Sequence, residues 1–146
     1  MKKKILVLIA LVLMLVGCKP EKFYLDDENY GKAAVVQISN EELKEKENNK
    51  DNFGLFVFLP GCSSCAEFSK VLKQFTEDYN IEFYSLSIKE AEGTAAEDVE
   101  YAPSFIVYYE GKAVDMLDAA SDEDTSYFKD SESFKTWIEE YIYLEK

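Results

Sequence analysis

The chain has 146 residues, of which 16 are basic and 29 acidic, for a formal net charge of −13, and it contains no histidine. Such an acidic surface repels nucleic acid and anionic headgroups, which excludes nucleic acid as a partner. The absence of histidine excludes Cys–His and Ser–His–Asp catalysis and most zinc and haem sites. An apolar content of 47% supports one core and one domain.

Lys2, Lys3 and Lys4 precede an unbroken apolar run over residues 5–16, then Gly17 and Cys18. A basic start followed by a dozen apolar residues fits a secretory leader, and the run falls short of the ~20 residues of a membrane span. Leu15-Val16-Gly17-Cys18 resembles the lipobox of bacterial lipoproteins. The resemblance implies a cleaved leader over 1–17, a diacylated Cys18, and a protein held on the outer face of the cell membrane. Two acyl chains anchor stably where one does not. Lipid on Cys18 also resolves the odd cysteine count, leaving Cys62 and Cys65 as one pair in a compartment where disulfides persist.

Residues 18–32 are polar and aperiodic and read as the lipidated cysteine and a tether; residues 33–146 read as the domain. Residues 33–38 are a short strand candidate, and Ser39-x-x-Glu42 is a capping box opening a charged helix that breaks at Asn48–Asn52. Residues 54–59 are continuously apolar, as in a strand buried on both faces. Phe68, Val71, Leu72, Phe75 and Tyr79 then recur at helical spacing up to Asn80. A strand is predicted over 81–88, and Thr94-x-x-Glu97 predicts a further short helix ending before Tyr101-Ala102-Pro103. Glu110-Gly111 joins two strands as a hairpin. After an acidic loop over 118–130, Phe134, Trp137, Ile138, Tyr141 and Ile142 mark a terminal amphipathic helix.

This order, β-α-β-α-β-α-β-β-α, predicts a three-layer α/β/α domain with a central mixed sheet and a C-terminal hairpin and helix. Cys62-Ser63-Ser64-Cys65 falls where the buried strand meets the amphipathic helix. A helix start offers free N–H groups and a positive dipole end, both of which stabilise a thiolate at the first cysteine. A dithiol redox centre is one reading of the pair, and an inert disulfide pinning the helix start is the other. Closing so short a loop restrains little chain entropy, so the pair makes a poor staple.

With C-x-x-C after a buried strand and Pro103 opening the strand before the terminal hairpin, the chain resembles the thioredoxin superfamily over residues 33–143. Within it, the chain is most similar to thioredoxin-like lipoproteins of Gram-positive bacteria, including those called bacteriocin transport accessory proteins. The resemblance implies a thiol–disulfide oxidoreductase without cofactor or metal. Cys62 would be the nucleophile and Cys65 the resolving cysteine. Pro103 would be the cis-proline beside the dithiol, and Ala102 the backbone contact for an extended substrate. Its partners would be the disulfides of exported proteins or peptides, with a membrane electron donor or an exporter also in play. The alternative is a non-catalytic binding module of the same fold, docking an exporter or secreted peptide.

The pattern departs from thioredoxins at three places. Their buried aspartate is matched by Phe56, their Trp before the first cysteine by Gly61, and their Gly-Pro by Ser63-Ser64. With Phe56 beneath it, Cys65 would sit in an apolar setting that disfavours its thiolate. Glu67 is the nearest acid in sequence and reads as a solvated helix residue. A copper(I) carrier would need the histidine that this chain lacks. Asp122, Asp124 and Asp130 lack the Gly and Glu of a calcium loop, since Tyr127 and Ser133 stand at those positions.

Overall fold

In the computed structural model, residues 21–146 are described; the leader and Cys18 lie outside them. Five strands form one mixed sheet in the order β1-β3-β2-β4-β5. They are β1 Ala34–Gln37, β2 Phe53–Phe58, β3 Glu82–Ser87, β4 Ser104–Tyr109 and β5 Lys112–Asp118. The first three run parallel, and β4 and β5 are antiparallel to their neighbours. The helices are α1 Asn40–Asn49, α2 Ser63–Tyr79 and α3 Ser131–Ile138. The predicted three-layer α/β/α architecture is therefore the observed one.

Strand alternation sorts the two cores. Phe53, Leu55 and Val57 face Leu43 of α1, whereas Phe56 faces α2 and α3 with Phe83 and Phe105. Phe134 anchors the second layer, with ring centroids 5.0 Å from both Phe75 and Phe105 and 5.6 Å from Phe68. It is fully buried, and truncating it to alanine would cost ~3–5 kcal/mol. The element boundaries are set by local chemistry. Ser39 and Glu42 close the predicted capping box on α1. Asn80 ends α2 in the left-handed region at φ 51°, and Asp130 caps α3 through the Ser133 N–H at 2.7 Å. Glu110 and Gly111, with φ 50° and 71°, make the predicted hairpin turn.

Two expectations are corrected. Residues 94–97 form turns, not a helix: the Thr94 hydroxyl donates to the Ala91 carbonyl, and Glu47 accepts from the Ala95 N–H at 2.8 Å. The Thr94 hydroxyl does accept from the Ala96 N–H at 3.2 Å, but Glu97 accepts from the Gly93 N–H and the Thr94 N–H donates to the Ala91 carbonyl, so the capping box does not close. Residues 23–30 dock on the domain through Phe23, Leu25, Asn29 and Tyr30, and do not form a free tether. Phe23 and Leu25 are buried, Phe23 bridges to Ile142, Tyr30 bridges to Ile81, and Asn29 donates to the Glu82 carbonyl at 3.1 Å.

Candidate functional site

The sheet delivers the cysteine pair to one end of the molecule. β2 runs out into Leu59, Pro60 and Gly61, where the Cys62 N–H donates to the Leu59 carbonyl at 3.1 Å. Gly61 turns the chain at φ +81°, a conformation that glycine adopts without a Cβ penalty. The next residue, Cys62, is the N-cap of α2, and its Sγ accepts from the Cys65 N–H at 3.0 Å. Ser64 Oγ stands 3.1 Å from the same sulfur. Cys62 and Cys65 are paired at disulfide distance, with Cα atoms 5.3 Å apart.

The two sulfurs have different surroundings. Cys62 is half-buried at the rim, and Cys65 is only 5% exposed. Behind Cys65, Phe56 is buried edge-on to Phe68, with centroids 5.5 Å apart, so hydrocarbon fills the position of the thioredoxin aspartate. Glu67 is solvated, paired with Lys70 at 2.8 Å.

The loop before β4 completes the rim. The Ala102–Pro103 bond is cis, and the Ala102 carbonyl oxygen lies 3.8 Å from Cys62 Sγ. Ser104 Oγ donates to the Tyr101 carbonyl at 2.8 Å, and the Ala119 N–H donates to the Pro103 carbonyl, which ties this loop to β5. The structure thus brings together Cys62, Cys65, Ala102 and Pro103; Cys18 is outside the described residues.

Sequence reasoning did not single out two features of this site. A groove of about 400 Å³ reaches both cysteines from the β1 side, with Val35, Gln37, Phe58 and Leu59 in its walls. Tyr101, 54% exposed, stands beside Ala102. Only the spatial strand order reveals the groove, whereas an aromatic next to Ala102-Pro103 could have been flagged from sequence. A larger cavity, about 710 Å³, lies on the α1 face and contains no cysteine. There Lys46 holds Glu28 at 3.1 Å and Asp51 at 3.4 Å beneath the Tyr84 ring, a structural ion-pair cluster. The Lys46 ammonium pulls the Glu28 carboxyl below its ordinary range, and burial pushes the Asp26 carboxyl up. The Asp124 carboxylate accepts from the Asp118 N–H at 3.0 Å. Among the described residues no three metal-ligating side chains cluster.

Comparison with known proteins agrees with this geometry. Residues 27–112 match the TraF family model, described as F plasmid transfer operon protein. No curated protein matches the chain. A thioredoxin from Plasmodium falciparum superposes with a TM-score of 0.54 at 22% identity, covering 74% of this chain and 99% of that one. A second structure, described as having a thioredoxin fold, gives 0.50 at 14% identity over 70% and 91% of the two chains. These likenesses show the thioredoxin fold, and that fold with its cysteine pair fits a redox-type module.

Proposed function

We propose that this chain, which belongs to the TraF family, is a membrane-anchored, extracytoplasmic thiol–disulfide oxidoreductase. The family description names an operon and no chemistry, so the reading rests on the site. The observation that carries it is the asymmetry of the pair. Cys62 stands at a helix start beside the Ala102 carbonyl, and Cys65 is buried behind it. A staple needs no such difference, whereas a nucleophile with a resolving partner does.

In the reducing direction, the Cys62 thiolate attacks one sulfur of a substrate disulfide. The substrate bond breaks and its other sulfur leaves as a thiolate. Cys65, having lost its proton to solvent, attacks the Cys62 sulfur and releases the second substrate thiolate. The protein dithiol is oxidised by two electrons and the substrate is reduced by two. The reverse sequence oxidises a dithiol. The Cys65 N–H and the Ser64 hydroxyl stabilise the Cys62 thiolate, and the Ala102 carbonyl accepts a hydrogen bond from an extended substrate.

Anchoring is assigned to Cys18 within Leu15-Val16-Gly17-Cys18. The acidic surface gains nothing from anionic lipid, so acyl chains have to hold the protein. Exported proteins with cysteine pairs are the substrates of this reading. Its test is covalent trapping in cells: Cys65→Ser should accumulate mixed disulfides with exported proteins, and Cys62→Ser should not. Equal trapping by both variants, or none by Cys65→Ser, would refute it.

A further inference from the structure

The described chain begins at the end of the domain remote from the dithiol. The Phe23 N–H donates to the Tyr141 carbonyl at 2.8 Å, and the Phe23 ring lies 4.6 Å from Tyr109, the last residue of β4. The Asp26 N–H donates to the Asn52 carbonyl at 3.0 Å, and the Asn52 side chain donates to the Tyr24 carbonyl at 3.1 Å. Asn52 immediately precedes β2, whose far end delivers Cys62; β4 runs the opposite way, from Pro103 to Tyr109. The six residues of β2 separate the two poles by roughly 20 Å at ~3.3 Å per residue, before the loops at either end are added.

Cys18 and Phe23 are five residue steps apart, so the chain between them spans at most about 18 Å. Turning the dithiol onto a bilayer would lift Phe23 by more than that span. Lying flat on an anionic bilayer is opposed by the acidic surface. The segments that border the dithiol, residues 59–66 and 101–104, carry no charge, and Leu59 and Tyr101 are exposed there at 38% and 54%; the acids of this pole begin beyond them, at Asp118 opposite Ser104. On a chain with 29 acids, this uncharged rim around the cysteines suits contact with polypeptide.

We infer that the anchored protein presents its dithiol away from the membrane, to water-soluble proteins or ectodomains whose cysteines stand clear of the bilayer, and not to a thiol at the lipid surface. This rests on the proposed Cys18 anchor and redox pair.

The test uses the full lipidated protein, reduced, on vesicles of phosphatidylglycerol and phosphatidylcholine. Two probes are compared by thiopyridone release: a soluble pyridyl disulfide, and a pyridyl disulfide on the phosphatidylethanolamine headgroup of the same bilayer. A variant with a roughly thirty-residue Gly/Ser insert between residues 20 and 21, which reaches ~30 Å, serves as the freed reference. The native tether should react readily with the soluble probe, but with the headgroup probe at least about tenfold more slowly than the insert variant. Equal headgroup rates for the two would overturn the inference while leaving the anchor and the redox pair intact. Failure to float with the vesicles would remove the anchor, and failure to react with the soluble probe would remove the redox pair; either takes the inference with it.

Discussion

Ser64→Ala isolates one interaction at the nucleophile. It removes the hydroxyl 3.1 Å from Cys62 Sγ and keeps the Cys65 N–H that donates at 3.0 Å. A hydrogen bond to a charged acceptor contributes ~1.5–3 kcal/mol when shielded. Ser64 is exposed, water replaces part of that, and about half, ~0.75–1.5 kcal/mol, remains. The hydroxyl favours the thiolate of the reduced state over the uncharged disulfide, so its loss makes the couple less oxidising. At ~1.4 kcal/mol per 30 mV, the potential should fall by about 15–30 mV. The assay is equilibration with glutathione at pH 7, read as the fraction of Cys62–Cys65 disulfide. Ser63→Ala, whose hydroxyl makes no contact with the sulfur, is the control and should leave the potential in place. A Ser64→Ala potential that is unchanged or raised, or equal shifts for both variants, would refute the reasoning.

Other perturbations reach the core, the acidic cluster and the helix surface. A Cβ at Gly54 would meet ring atoms of Phe83 and Phe105 at 2.7 Å, and both rings are fully buried. Gly54→Ala should therefore lose about 1–3 kcal/mol in urea unfolding; an unchanged midpoint would show that the rings yield freely. Burial holds the Asp26 carboxyl above its ordinary range in the folded state, so it favours folding only while protonated. That contribution is lost as pH rises through its folded pKa. Asp26→Asn should raise the melting temperature at pH 7 and do little well below the carboxylate range; a gain confined to acid pH would reverse the sign. Glu67→Gln removes only an exposed pair with Lys70 and should leave turnover within about twofold, whereas a large loss would make Glu67 a proton carrier for Cys65.

The parts of the fold legible in the sequence are those fixed by local chemistry. The capping box at Ser39 and Glu42, the turn at Glu110 and Gly111, and the apolar run of β2 all depend on near neighbours. The cysteine pair was legible for the same reason, because a strand end followed by a helix start leaves few other places for Cys62 and Cys65. What stayed hidden depends on distant partners. Phe23 and Leu25 look isolated among polar residues; the bridge of Phe23 to Ile142 and the bonds of Tyr24 and Asp26, on either side of Leu25, to Asn52 are what dock them. Thr94 and Glu97 have a capping signature, and the hydroxyl does accept from the Ala96 N–H, but the carboxylate takes the Gly93 N–H at 2.9 Å and the Thr94 N–H goes to the Ala91 carbonyl, so the box does not close. The groove beside the dithiol takes its outer wall from β1, which the crossover to β3 places there.

The central claim is that Cys62 and Cys65 form an exchanging redox couple, and its reduction potential is the direct test. Residues 21–146, equilibrated with glutathione and dithiothreitol, should titrate as one two-electron couple between about −270 and −120 mV, with rapid exchange. A potential below about −300 mV with sluggish exchange would identify a structural disulfide and contradict the account.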